Sequence, residues 1–264
     1  YGRTGSFFSF RLKYETMTSD QPSSFRTAAS AAKDNGSTGQ CYLGHGSGNA
    51  RTRSKGVGAL LWGEGLEAWK NAQCYKHFGR TGRILSFRLK YETMTSAKPS
   101  SYRTAASATK DNGSTGQCYH IIAGYAPTTA HTNAECEEYY DELEEHIAEK
   151  RNNDILIIAA DCNANVGNKQ TWATHKPASQ QCLGNHGNGR KNKRGERLLD
   201  FCFEHQLVIA STCFAKKYYN TWTSTLGNGR GYQLDHFCVQ RCGRQHIVDC
   251  GHMQTPICNS DHTG

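Results

Sequence analysis

Two tripeptides carry most of the chemistry open to this sequence: Asp161-Cys162-Asn163 and Ser260-Asp261-His262. The first follows Ile155-Leu156-Ile157-Ile158-Ala159-Ala160, an apolar run that reads as a buried strand. It sets a carboxylate and an amide side by side where a strand gives way to a loop. The second sets another carboxylate beside an imidazole. Carboxylate and amide oxygens are ligands for a hard cation, and an imidazole can carry a proton near neutral pH. Metal-assisted hydrolysis of a phosphodiester needs those parts. Taken alone, Asp161-x-Asn163 reads as a turn, because Asp and Asn hydrogen-bond their own backbone at strand ends. Ser260-Asp261-His262, taken alone, reads as a polar loop.

Two further groups fit the same chemistry. Tyr232-Gln233-Leu234-Asp235-His236-Phe237 carries one carboxylate in a strand-like run. Burying that carboxylate without a partner is costly, and a pairing of Asp235 with His262 would orient the imidazole and raise its pKa. An exposed strand position is the equal alternative. Tyr125-Ala126-Pro127 ends a strand with a phenol, which either packs at the core edge or points its hydroxyl at a phosphate.

The elements that must position these residues can be read from periodicity and caps. Gly56–Trp62, Arg83–Leu89 and His120–Tyr125 are strand candidates. Thr132 with Glu135 forms a capping box, and Cys136, Tyr140, Leu143 and Ile147 then share one helical face. Asp154–Ala160 is the strand before Asp161. Gly195–Gln206 reads as a second helix and Leu207–Thr212 as the strand behind it. Tyr218–Ser224, Gln233–Val239 and His246–His252 read as strands. Alternation of this kind is an α/β pattern. The segment Gly2–Tyr42 recurs almost unchanged as Gly79–Tyr119, a duplication rather than a solenoid, which would need about three copies. Ser96–Gly116, rich in Ser, Thr, Ala and Gly, reads as a loop insert. The expected organisation is a duplicated segment over 1–55 and one domain over 56–264.

The chain has 264 residues, a formal charge of +8 and 12 cysteines. The charge favours a polyanionic partner, with nucleic acid first. In a chain of this length the cysteines read as reduced thiols, so an intracellular location is expected. No apolar run approaches a membrane span. The first residue is Tyr1, not Met, and the expectation is a fragment of a longer protein. Cys238, Cys242, Cys250, His252 and Cys258 do not match the paired spacings of a zinc site. Gly184-Asn185-His186-Gly187-Asn188-Gly189 does not fit a P-loop and reads as a surface loop. The basic run Arg190-Lys191-Asn192-Lys193-Arg194 could touch a nucleic-acid backbone, with a solvated loop as the default.

The motifs follow one another in order: Tyr125-x-Pro127, Asp161-x-Asn163, Thr221-Trp222-Thr223-Ser224, Leu234-Asp235-His236-Phe237 and Ser260-Asp261-His262. That series resembles the endonuclease/exonuclease/phosphatase superfamily. More narrowly, Gly195-Glu196-Arg197-Leu198-Leu199-Asp200-Phe201-Cys202 and Gln233–Val239 resemble its retrotransposon-derived, craniofacial development protein 2-like branch. The resemblance spans roughly Gly56 to His262. It implies an α/β four-layer sandwich of two mixed sheets flanked by helices. It implies Mg²⁺- or Mn²⁺-dependent cleavage of a phosphodiester in nucleic acid, DNA first, and a nuclear location. His262, oriented by Asp235, would act at the phosphate. Asp161 would activate the water or protonate the leaving oxygen, Asn163, Tyr125 and Trp222 would hold substrate, and Asp261, Asp161 and Asn163 would bind metal. Ala160-Asp161-Cys162-Asn163 departs from the family's Gly-Asp-Phe-Asn. The family's Gln-Glu motif is not found, and Glu15 in Leu-Lys-Tyr-Glu-Thr is the candidate for that metal ligand. The rivals are a non-catalytic nucleic-acid-binding module and a phosphatase acting on a small phosphoester or phosphoinositide.

Overall fold

The computed structural model describes residues 10–12, 40–46, 56–92, 116–172, 177–217, 221–225 and 231–251. The strands are β1 (Phe10–Leu12), β2 (Gln40–Gly46), β3 (Gly56–Trp62), β4 (Lys76–Phe78), β5 (Ile84–Glu92), β6 (Gly116–Tyr125), β7 (Asp154–Asp161), β8 (Leu207–Ile209), β9 (Ser224–Thr225), β10 (Gly231–Tyr232), β11 (Asp235–Gln240) and β12 (Ile247–Cys250). The helices are α1 (Gly63–Asn71), α2 (Asn133–Ala148), α3 (Pro177–Cys182) and α4 (Lys193–Glu204).

One six-stranded sheet, in the order β4-β5-β6-β7-β11-β8, forms the centre. β6 and β7 run parallel and the other neighbours antiparallel, so the sheet is mixed. β7 lies between β6 and β11 and is buried along its whole length, which is why its sequence is a continuous apolar run. Its side chains divide by period 2 between two cores. Leu156, Ile158 and Ala160 join Tyr139, Tyr140, Leu198 and Phe201 under α2 and α4. Ile155, Ile157 and Ala159 join Leu43, Leu61, Trp69, Phe237 and Ile247 on the opposite face. That second face is covered by the β2–β3 pair, α1 and β12, with β1 paired to β12. The layered α/β class is therefore as expected from the sequence.

The capping box at α2 forms as read: Thr132 Oγ1 accepts from the Glu135 amide (3.2 Å), and Glu135 Oε2 accepts from the Thr132 amide (2.9 Å). Three elements depart from expectation. Leu207–Thr212 is a strand only to Ile209, because Thr212 Oγ1 donates to Ile209 O (2.7 Å) and winds Ala210–Thr212 into a 3₁₀ turn. Of Tyr218–Ser224, residues 218–220 lie outside the described set, 221–223 are loop, and β9 starts only at Ser224. His246–His252 begins in a 3₁₀ turn and is strand over Ile247–Cys250. The insert at 96–115, Glu15, Asp261 and His262 lie outside the described residues.

Three buried histidines make the fold sensitive to acid. His236 sits between the Ala164 carbonyl, to which Nε2–H donates (2.9 Å), and Ser211 Oγ, 3.0 Å from Nδ1. The Nε2–H of His120 donates to His146 O (3.0 Å). Burial lowers the pKa of His120 and His236 below 6.5, and burial followed by the neighbouring His77 lowers that of His146. A lowered folded pKa means that the unfolded chain binds protons first as pH falls. The stabilisation is complete above about pH 6.5 and is lost as pH drops toward the folded values. Urea midpoints should therefore fall from pH 7.5 to pH 5; a constant midpoint would contradict this account.

Candidate functional site

The parallel and antiparallel registers of β7 bring three of the sequence-chosen residues to one point. Tyr125, the last residue of β6, lies opposite Asp161, the last of β7. Asp235, the first of β11, lies opposite Asp161 from the other side. Directly paired residues share a face. Tyr125, Asp161 and Asp235 continue the alternation of Ile121, Ile157 and Phe237, so all three lie on the face away from α2 and α4. Asp161 and Asp235 are both buried.

The backbone around them is tied tightly. The Ala126 amide donates to Asp161 O (2.8 Å) and the Cys162 amide to Leu234 O (2.9 Å), so β6, β7 and the segment before β11 stay locked past the end of the ladder. Asn163 adopts a left-handed backbone, φ +49°, a conformation that Asn tolerates better than most residues. Its amide donates to Asp161 Oδ1 (3.1 Å), and its Nδ2 donates to Ala126 O (2.9 Å). Asn163 therefore fixes the turn expected of Asp-x-Asn while placing its side chain between the ends of β6 and β7. Cys162 points into the helix-side core beside an apolar gap of about 10 Å³ lined by Tyr139, Leu198 and Cys238.

Thr223 and Arg83 hold the site, and the sequence alone assigns neither of them a role of its own there. Thr223 Oγ1 accepts from the amides of Leu234 (2.9 Å) and Asp235 (3.1 Å), fixing where β11 begins. The buried Arg83 donates from Nη1 to Tyr125 O (3.3 Å), with its guanidinium 5.5 Å from the Tyr125 ring. Thr223 was legible as part of Thr-Trp-Thr-Ser. Nothing in the sequence places Arg83 beside Tyr125, which it meets only through the β5–β6 pairing.

Trp222 precedes Thr223 and packs on Gly231 of β10. A Cβ at Gly231 would lie 1.9 Å from the indole. A rigid ring cannot give way by that much, so Gly231→Ala must displace Trp222 or reopen the β9–β10 pair. The expected cost is about 1–3 kcal/mol, read as a lower urea midpoint with altered tryptophan emission. An unchanged midpoint and spectrum would show that the contact is not held in solution.

The basic loop arrives beside these elements. Arg190 stacks 4.9 Å from the Tyr232 ring of β10, and the Asn188 amide donates to Gln233 Oε1 (3.4 Å). Lys191 lies 4.3 Å from the Trp172 ring. The loop is thus docked by aromatic and amide contacts next to the segment that leads to Asp235.

No protein-family model matches the chain. Among curated proteins, it is 31% identical to craniofacial development protein 2 of Tragulus javanicus over 145 residues, which is 54% of this chain and 24% of that protein. It is 30% identical to craniofacial development protein 2 of Bos taurus over 145 residues, 54% of this chain and 23% of that protein. The chain is similar to part of craniofacial development protein 2. It matches about a quarter of the length of these curated relatives. A solved endonuclease/exonuclease/phosphatase family protein from Leptotrichia buccalis C-1013-b aligns with a TM-score of 0.47 at 13% identity, over 96% of this chain and 81% of that one. The curated relatives bear out the resemblance to the craniofacial development protein 2-like branch read from Gly195–Cys202 and Gln233–Val239.

Proposed function

We propose that the chain is a metal-dependent phosphodiester hydrolase-like domain of the endonuclease type, acting on nucleic acid. The observation that carries this reading is the meeting of Tyr125, Asp161 and Asp235 at adjacent strand ends on one sheet face. The donor chemistry fits a hard divalent cation: two buried carboxylates occupy facing positions on adjoining strands, where a cation would offset their mutual repulsion. Asp161 would hold Mg²⁺ or Mn²⁺ together with Asn163 and Asp261, and Glu15 is the candidate for a further carboxylate. When bound, the ion supplies Lewis-acid stabilisation of charge on the phosphoryl oxygens.

The chain's own residues do the rest. The Tyr125 hydroxyl donates a hydrogen bond to a phosphate oxygen. Asp161 handles the proton of the attacking water or of the leaving oxygen. Asp235 orients His262, whose imidazolium completes the charge stabilisation at the phosphate. Trp222, packed on Gly231 of β10, and the loop cations Arg190, over Tyr232 of the same strand, and Lys191 support a nucleic-acid substrate by offering an aromatic face and phosphate-binding cations. A retrotransposon origin and a nuclear location belong to the same proposal.

A substrate panel separates this reading from its rivals. Supercoiled plasmid should be nicked with Mg²⁺, while a soluble inositol phosphate and an aryl phosphate monoester should not be hydrolysed. Turnover of the small phosphoesters alone would move the assignment to a phosphatase. Salt-sensitive DNA binding with no cleavage would move it to a non-catalytic binding module, the reading that the +8 charge alone would favour.

A further inference from the structure

A second cluster of ligand-type side chains sits away from the strand ends just described, at the β4 edge of the sheet. His77 lies on β4, three strands from β7, and His146 and Glu149 lie at the C-terminal end of α2. One ligand atom from each of His77, His146 and Glu149 lies within 4.8 Å of the others. His77 Nδ1 is 2.6 Å from Glu149 Oε1. The His77 and His146 rings are stacked, with centroids 4.5 Å apart and planes inclined by 22°.

Two hydroxyls hold these groups in place from behind. Tyr75 Oη–H donates to Glu149 Oε2 (2.5 Å), leaving Oε1 toward His77. Ser86 Oγ lies 2.9 Å from His146 Nδ1 and 3.4 Å from Glu149 Oε2. Partners of this kind orient imidazole and carboxylate ligands and set metal affinity. The side chains of His77 and Glu149 are 48% and 32% exposed, so an ion and its water have access, while His146 is buried.

We infer that His77, His146 and Glu149 form a zinc-binding site joining β4 to the end of α2. Two imidazoles and one carboxylate are a borderline-soft donor set. It suits Zn²⁺ rather than Mg²⁺, and three protein ligands leave a fourth position for water. Ligand atoms around a tetrahedral zinc are about 3.3 Å apart, from Zn–N and Zn–O distances near 2.0–2.1 Å. The His77–Glu149 contact therefore has to open by less than about 1 Å, and the stacked imidazoles have to turn so that a ring nitrogen of each faces the ion. Zinc takes the place of the direct His77–Glu149 contact and ties the edge strand to the helix. The inference does not rest on the phosphodiesterase reading, because no residue is shared.

The test is calorimetric titration of the chelator-stripped full chain with ZnCl₂, followed by thermal unfolding with and without the metal. Wild type should bind one equivalent that is lost in His77→Ala and in Glu149→Gln, both exposed enough to leave folding intact. Tyr75→Phe should weaken that equivalent about 10–100-fold. Asp161→Asn should retain it. Zinc should raise the unfolding temperature of wild type but not of His77→Ala. The inference is overturned if His77→Ala binds the same number of equivalents as wild type, or if Asp161→Asn loses the equivalent that His77→Ala keeps.

Discussion

Replacing Asp161 by Asn should lower Mg²⁺-dependent nicking by about 10²–10⁴-fold, the range for removing a proton-handling group from a reacting centre. The substitution keeps shape. The Asn163 amide now donates to Asp161 Oδ1 (3.1 Å), and an amide oxygen can accept the same bond. Asp161 and Asp235 are buried on facing positions of β7 and β11, so losing one negative charge should leave stability unchanged or raise it. Asp235→Asn should behave alike, through a mispositioned His262. Loss of activity without loss of stability is the signature of a functional site. Urea denaturation beside the nicking assay reads both. A large fall in the urea midpoint would show instead that the carboxylates hold the fold.

Arg88→Ala should be the most destabilising single change among the described ion pairs. Arg88 on β5 reaches across β6 to Asp154 at the start of β7, the end of that strand remote from Asp161. Its Nε donates to Asp154 Oδ2 and its Nη2 to Asp154 Oδ1, each at 2.6 Å. Both side chains are buried, 8% and 2% exposed. Hydrogen bonding to Asp154 raises the Arg88 pKa despite burial, so the guanidinium stays charged. Truncation leaves a carboxylate buried without its partner, a loss of about 3–5 kcal/mol and a large share of the stability of an ordinary domain. The double variant Arg88→Met with Asp154→Leu should recover most of that loss, because the pair's net contribution is small once desolvation is counted. Chemical denaturation of the three variants measures it. A loss under about 1 kcal/mol for Arg88→Ala would mean the pair behaves as a solvated surface bridge.

The strands that carry the site were legible because their sequences declare burial. A continuous apolar run can be only a strand shielded on both faces or a short buried helix. Its length, with Asp and Asn at its end, decides for β7. The α2 cap was legible because Thr132 and Glu135 satisfy each other locally. Helix α1 was not read. It begins directly after β3 at Gly63, with φ +52°, and Gly65 follows in its first turn, which hides the Leu66–Trp69 pairing that buries it. The duplicated segment shows the limit most plainly. Gln117-Cys118-Tyr119 of the second copy pairs with Tyr91-Lys90-Leu89 of the same copy, whereas the equivalent Gln40-Cys41-Tyr42 of the first pairs with Trp62-Leu61-Leu60. Nearly identical sequence thus takes different partners, because strand pairing is settled by what each face can bury. The same reason kept Arg83 from being read beside Tyr125, and His77 beside His146. Those contacts are made across strands and helices, at separations that no local pattern records.

The most direct test of the central claim is nicking of supercoiled plasmid by the full chain in Mg²⁺, run beside Asp161→Asn and beside the chelator-treated chain. A nicked product that forms with Mg²⁺, and is lost both on chelation and in Asp161→Asn, is the predicted result. A folded chain that leaves the plasmid intact, or one that nicks equally well with Asn at position 161, would contradict it.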